Sequence, residues 1–339
     1  MSDRRTFIRT AAALSLAPAL VRCDRPEPLP PQPWSDAAFR KPGTSPVAVL
    51  AAAAYDGRLV DTVRRGAELC GLDVRGRRVV IKPNFVEFDP NGVINTSPVL
   101  IAATIEAFRS MGAADVTVAE GPGHRRDNEY IITASGLGDT LRDTGAAYVD
   151  LNVDATRLVT AGSAYTPLGQ LHLPETIAGA DLLVSMPKLK THHWAGVTLS
   201  LKNMFGIMPG AVYGWPKNVL HQAGVQQSIL DINSTLSLPR FNIVDGIIGM
   251  EGDGPIRGTA RRSGLLVFGH DPVAVDATAA RLMQIEPERV WYLLQAARFM
   301  GNLEAERIEQ RGERLESLAQ EYRLIPEWSQ LRPQPGDGA

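Results

Sequence analysis

The chain has 339 residues, enough for one large domain or two modest ones with a substantial core. Hydrophobic residues make up 44% and charged residues 21%, which excludes a disordered chain. The formal charge of -2 gives no electrostatic footprint for nucleic acid, so no nucleic-acid partner is expected.

In chain order, Arg4-Arg5-Thr6-Phe7-Ile8-Arg9 precedes an apolar run over residues 11–21 that is too short to span a bilayer comfortably. This pattern resembles a twin-arginine export signal, and Ala17-Pro18-Ala19 offers a small-residue cleavage site. Residues 1–23 are therefore read as a signal segment. The resemblance implies an exported, periplasmic protein, the export machinery as a partner, and no transmembrane span in the mature chain. Cleavage just before Cys23 would give a lipid-anchored form, which Arg22 disfavours. Residues 24–46, with Pro26, Pro28, Pro30, Pro31 and Pro33, read as an extended linker. Cys23 and Cys70 are the two cysteines, so no iron–sulfur cluster, structural zinc or disulfide framework is expected. Cys70 reads as an inert core residue.

The domain starts at Val47. Residues 47–52 form a short apolar strand. Residues 59–70 have helical spacing, with Leu59, Val63, Ala67 and Cys70 on one side. Residues 78–82 are a buried strand ended by Pro83, and a loop follows over 84–98. Residues 99–111 form an amphipathic helix with Ile101, Ile105 and Phe108 inward, closed by Gly112. Residues 115–119 are the next strand. This alternation predicts an α/β fold, a mostly parallel sheet flanked by helices, with a ligand cleft at the strand carboxyl ends. A helix is expected over 129–144, strands at 147–150 and 157–160, and a hairpin over 161–174. Residues 181–185 are another buried strand. A helix at 225–236 leads to core strands at 241–245 and 265–269. Helices follow over 276–283 and 287–300. The α/β domain thus covers 47–300, with 47–180 and 181–300 as possible lobes. Residues 301–339 form a charged helical tail, with the helix over 303–322 and fraying from Pro326.

Residues 186–210 concentrate reactive side chains: Lys188, Lys190, His192, His193 and Lys202. They begin at a strand end, where an open α/β sheet places its ligand. Lys188 and Lys190 suit an anion or mark a solvated strand edge. Adjacent His192 and His193 face opposite sides of a strand, so one of them enters a site. Lys202 stands in an apolar run and needs a partner or a function. Lys82-Pro83-Asn84 follows a second strand end. Glu120-Gly121-Pro122-Gly123-His124-Arg125-Arg126 follows a third, as a ligand-binding turn or a surface turn. His221 reads as a ligand or as a helix-start histidine. Asp245, Glu251 and Asp253 lie among glycines, on a loop able to hold a divalent cation or a hydroxyl-bearing ligand. Asp271 reads as a helix cap, and Asp276, in an apolar helix, requires a partner. No nucleophile elbow, Walker A loop, HExxH or dinucleotide fingerprint occurs.

Several segments together resemble the "domain of unknown function 362" family: VVIKPNFV (79–86), NTSPVLIAATIEAFRSMGA (95–113), VTVAEGPG (116–123), DLLVSMPKLKTHHWAGVTLSLKNMFGIMPG (181–210), NIVDGIIGMEGDGP (242–255) and FGHDPVAVDATAARLM (268–283). Many relatives carry a Cys-rich ferredoxin-like segment, which this sequence does not contain. A weaker resemblance is to the nickel-pincer lactate racemase family. It rests on Thr96-Ser97-Pro98, Gly123-His124-Arg125, His192, Ala195-Gly196, Lys202 and Pro209-Gly210. That family's Gly-Gly before its lysine is here Leu199-Ser200-Leu201. The resemblance implies His124 and His192 as acid/base groups, Lys202 as a tether for a nickel-pincer nucleotide, and His221 as a metal ligand.

The combined expectation is an exported enzyme acting on a small anionic ligand such as a hydroxy or carboxylic acid. His124 and His192 move protons. Lys202, Lys188, Lys82, Asn84 and Asp245 bind the anion or a cofactor. His221, Glu251 and Asp253 are the candidate metal ligands. A non-catalytic periplasmic binding or cofactor-handling protein is the alternative, and a structural or assembly factor is the third.

Overall fold

The computed structural model describes residues 32–123 and 127–333. The signal segment and His124 lie outside the described residues. Contacts separate Met1–Gln32 from one compact unit, Pro33–Ala339, and the fold below is that of the second unit.

Twelve strands run in chain order: β1 Ser45–Ala51, β2 Arg78–Pro83, β3 Asp115–Glu120, β4 Tyr148–Asp150, β5 Thr156–Thr160, β6 Gln170–Pro174, β7 Leu182–Met186, β8 Lys188–His192, β9 Gly196–Thr198, β10 Arg240–Glu251, β11 Thr259–Gly269 and β12 Ile308–Gly312. Ten of them make one sheet with the backbone order β12-β1-β11-β10-β7-β2-β3-β4, while β5 and β6 form a separate antiparallel pair. β10, β7, β2, β3 and β4 are mutually parallel. β11 is antiparallel to both of its neighbours. β8 continues the line of β7 past Pro187, pairs with β10 beyond a register break, and turns back into β9. Both halves of the chain therefore contribute strands to a single sheet.

Strand alternation feeds two cores. Val47 and Val49 of β1 and Leu265 and Val267 of β11 face one layer, while Ala48, Leu50, Leu266 and Phe268 face the other. The second layer is covered by the helices Leu59–Leu69 and Pro98–Ser110. Gly66 is required there, since a Cβ would sit 2.6 Å from the Phe268 ring. The first layer is covered by the helices Val225–Thr235, Pro272–Leu282 and Trp291–Ala297. Each fully buried Leu or Phe contributes about 1.5–3 kcal/mol. Asp271 caps Pro272–Leu282 by accepting from the N–H groups of Val273 and Ala274. The partner required for Asp276 is the start of the helix Ser200–Asn203, whose Ser200 and Leu201 N–H groups donate to it at 2.7 and 2.9 Å. Burial nevertheless pushes the Asp276 carboxyl up to about 7. Cys70 is a core residue whose thiol burial pushes up to about 11.

Four expectations need correction. The helix expected over 129–144 is two helices, Asn128–Ala134 and Leu137–Thr144, because Gly136 adopts φ 80 between them. The acidic loop is largely strand: β10 extends through Asp245 to Glu251, paired with β11. The C-terminal segment is not a helical tail. Residues 308–312 form β12 beside β1, and Tyr322 and Leu331 are buried. Of its charges, Glu309 and Arg311 lie on the edge strand β12 and the others are spread over short helical turns and loops, a spacing that a helical charge pattern mimics. The linker gives way to packed chain, since Trp34 stacks on Phe299 with centroids 4.6 Å apart.

Candidate functional site

The carboxyl ends of β2, β3 and β8 open into a cavity of about 850 Å³. β2 delivers Lys82, with Asn84 just beyond it. β8 delivers Lys190 and His192, and the following segments add Thr198, Lys202, Phe205, Lys217 and His221. Its buried wall is cationic. Glu87, Asp89, Asp253 and Arg257 line its more exposed part.

The lysines differ in what they touch. Lys82 and Glu120 form a buried ion pair, with Nζ 2.6 and 2.7 Å from the two carboxylate oxygens. Nζ also donates to the Pro83 carbonyl at 2.8 Å and to Asn203 Oδ1 at 3.2 Å. Glu120 further accepts from the N–H groups of Phe85 and Gly121, both at 2.9 Å. Gly206 must lack a side chain here, since a Cβ would lie 2.7 Å from Lys82 Nζ and 2.8 Å from Glu120 Oε1. Lys190 is fully buried and donates to the Ile94 carbonyl at 2.9 Å. Burial, then the charges of Lys188 and Lys202, hold its amine well below the usual lysine range. Lys217 is a non-glycine residue at φ 67, a conformation that costs roughly 1–2 kcal/mol. Its Nζ reaches back to the carbonyls of Met208 and Gly206 and to Asn152 Oδ1. Burial brings it down to about 7. Lys202 has no oxygen partner. Its Nζ lies 4.3 Å from the centre of the Phe205 ring, and burial followed by the Lys82 charge brings it down to about 8.

The histidines have defined tautomers. The Trp194 backbone N–H donates to His192 Nδ1 at 3.0 Å, so this nitrogen carries a lone pair and the ring proton sits on Nε2. Burial, then Lys202, holds His192 well below the usual histidine range and keeps it neutral. His221 is the reverse case. Its Nδ1 lies 3.0 Å from the Lys217 carbonyl, which needs a donor, so Nε2 carries the lone pair. Burial lowers the His221 pKa as well. His192 can therefore donate from Nε2–H, and His221 can accept at Nε2. His193 also lines the cavity, 3.3 Å from Asp253. The expectation that one of the two adjacent histidines enters the site fails because β8 ends at His192 and the chain turns there. Trp194, 56% exposed, stands beside them with its ring 5.3 Å from that of His221.

Two buried acceptors on the cavity wall, Asn84 Oδ1 and Thr198 Oγ1, have no hydrogen-bond partner among the described residues. Buried polar atoms are almost always satisfied, so these two mark positions for a ligand or water.

Lys82, Asn84, His192, Lys202, His221 and Asp253 of the sequence-derived set thus converge on the cavity. Lys188 and Asp245 do not line it. They form their own buried ion pair at 2.7 Å, joined by the Tyr55 hydroxyl, because both sit inside paired strands. Glu251 accepts from the Arg323 N–H instead. The metal set His221, Glu251 and Asp253 does not assemble, and no three His, Cys, Asp or Glu side chains among the described residues converge as metal ligands. Sequence reasoning placed Glu120 among the polar residues at a strand end without giving it a role, and missed Lys217, Thr198, Asn152 and Asn203. One signal was available: the chain has six lysines against 29 arginines, and every lysine except Lys41 lies in the cavity wall or the adjoining ion pair.

Fold and site together define an α/β protein with a cationic cavity at the carboxyl edge of a mostly parallel sheet. The chain belongs to the family described as Domain of unknown function (DUF362), which matches residues 79–281. It is similar to the thylakoid-associated protein sll1697 of Synechocystis sp., with 26% identity over 221 residues, 63% of this chain and 65% of that protein. Among solved structures it is similar to the lactate racemase apoprotein from Thermoanaerobacterium thermosaccharolyticum, at a TM-score of 0.45 and 15% identity, covering 72% of this chain and 58% of that one. A protein from Thermotoga maritima matches at a TM-score of 0.40 and 12% identity, over 69% of this chain and 60% of its own. The chain therefore spans less than two thirds of each of these relatives. Among the described residues, no helix is long and apolar enough to cross a membrane.

Proposed function

We propose that the cavity binds a small organic anion and that the protein is an enzyme moving protons on it. The observation that carries this reading is the lysine surplus: Lys82, Lys190, Lys202 and Lys217 share one cavity, and Glu120 is their single buried carboxylate partner, taken up by Lys82. Uncompensated buried cations are costly, and a ligand bearing a carboxylate or phosphate removes that cost. Asn84 Oδ1 and Thr198 Oγ1 offer acceptors for its hydroxyl groups.

In this reading the lysines hold the anion. His192 Nε2–H polarises an oxygen of the ligand, and His221 Nε2 accepts the proton. The lysine-tethered nickel-pincer nucleotide implied by the weaker resemblance would be held by Lys202 and His221, which share the cavity, and would supply a hydride acceptor. A divalent cation held by protein carboxylates alone does not fit the donor set found. Export rests on the twin-arginine pattern, and fractionation of cells producing the full chain tests it.

The function is tested by calorimetric titration of the full chain with lactate, pyruvate and phosphate, and by proton NMR of the same acids in D₂O. The expected result is saturable binding and enzyme-dependent exchange of a carbon-bound proton. His221→Gln should abolish exchange and retain binding. A binding protein would show affinity without exchange, and absence of any binding would sink the anion reading.

A further inference from the structure

We propose that Lys202 is a nucleophile that forms an imine with an anion bearing a ketone or aldehyde carbonyl, the chemical class of the 2-oxo acids. This rests on the reading of the cavity as an anion site and names its substrate class. The argument is one of elimination among six lysines. Lys82 and Lys188 are bound in buried ion pairs. Lys190 and Lys217 donate to backbone carbonyls, and Lys41 donates to the Ala297 carbonyl. Lys202 alone makes no hydrogen bond to the protein. Its amine faces the cavity beside the apolar ring of Phe205. An ammonium requires up to three acceptors. Among the described residues none is present and Lys82 stands nearby, so the free amine is within easier reach than in an ordinary lysine, as the fall to about 8 reflects. A desolvated amine beside another cation is the usual setting of a reactive lysine.

The chemistry closes without an external oxidant or reductant. The Nζ lone pair attacks the carbonyl carbon, and the C=O π electrons move to oxygen, which His192 Nε2–H stabilises. The nitrogen loses a proton to His221 Nε2 and the oxygen takes one from solvent, giving a carbinolamine; the solvent's proton is the one the protonated imine finally carries. The nitrogen lone pair then expels the hydroxyl, which takes the proton from His221 and leaves as water. Carbonyl and amine become imine plus one water. The protonated imine acidifies a neighbouring C–H bond, whose proton His221 Nε2 is free to accept. The lysines around Lys202 hold the carboxylate meanwhile.

The test is reductive trapping on the full chain. Pyruvate, glyoxylate and 2-oxoglutarate are each supplied with cyanoborohydride, which reduces an imine to a stable secondary amine, and labelled peptides are mapped by mass. With only six lysines, assignment is unambiguous. The expected result is a dominant label on the peptide carrying Lys202. The label should disappear in Lys202→Arg and Lys202→Met and be absent from denatured protein. Thermal stabilisation by these acids with no label on Lys202 overturns the imine and leaves the anion site standing. Label confined to Lys41 and the chain terminus also overturns the imine. Neither stabilisation nor label with any of the three overturns both readings.

Discussion

Glu120→Ala is the sharpest probe of the cavity wall. The substitution removes an acceptor that serves three donors at once: the Lys82 ammonium and the N–H groups of Phe85 and Gly121. Each stranded buried donor costs about 1–3 kcal/mol, the charged one most. The cavity beside Lys82 admits water, which keeps the total from being a simple sum. The expected loss is about 3–5 kcal/mol, the range for removing one member of a buried pair. For a chain of this size that lowers Tm by roughly 10 °C. Urea unfolding followed by circular dichroism measures it. Lys82→Met combined with Glu120→Gln should recover most of the loss, because no uncompensated charge remains. A loss below about 1 kcal/mol for Glu120→Ala, the worth of an exposed pair, would refute the buried-pair reasoning.

Two further outcomes follow from the same region. The folded-state pKa of Asp276 is raised to about 7 from an ordinary 3.8, so the folded chain holds that proton more tightly than the unfolded one. Its contribution to stability is full below about pH 4 and is lost as pH rises to about 7, and Asp276→Asn should flatten that slope in unfolding curves taken across the window. Gly206→Ala places a methyl against Lys82 Nζ and Glu120 Oε1. It should cost about 1–3 kcal/mol of stability and weaken anion binding in calorimetric titrations.

Much of the fold was legible because the strands are short apolar runs with clear stops. Val79 to Ile81 and Leu182 to Val184 are buried on both faces, and such runs read directly as central parallel strands. The acidic segment after Asp245 was not legible as strand, since Gly246 and Gly249 disguise β10. Those glycines are there because a Cβ at Gly249 would lie 2.3 Å from the Tyr322 hydroxyl, a contact made by chain more than seventy residues away. That Lys82, Asn84 and His192 line one cavity was legible from their position next to strand ends. Glu120 is also at a strand end, yet it was given no role, because a lone glutamate carries no pattern until Lys82 is beside it. Lys188 was misassigned for the converse reason: Asp245, which neutralises it, is 57 residues away.

The segment after β12 braces the site from outside the cavity. Trp328 Nε1 donates to the His193 carbonyl at 2.9 Å, and Leu331 packs where Gly196 leaves room. Meanwhile β12 closes the sheet edge beside β1. The turn carrying His193 and Trp194 is thus pinned by a residue 135 positions further along the chain. Loop-closure entropy for such distant contacts must be met before they stabilise anything, which makes them late and slow to form. The histidine turn of the cavity is therefore tethered late in folding, from a stage in which β1 is already paired with β11 and its other edge is still open. Loosening this tether, as in Trp328→Ala, acts on ligand binding before it acts on the fold.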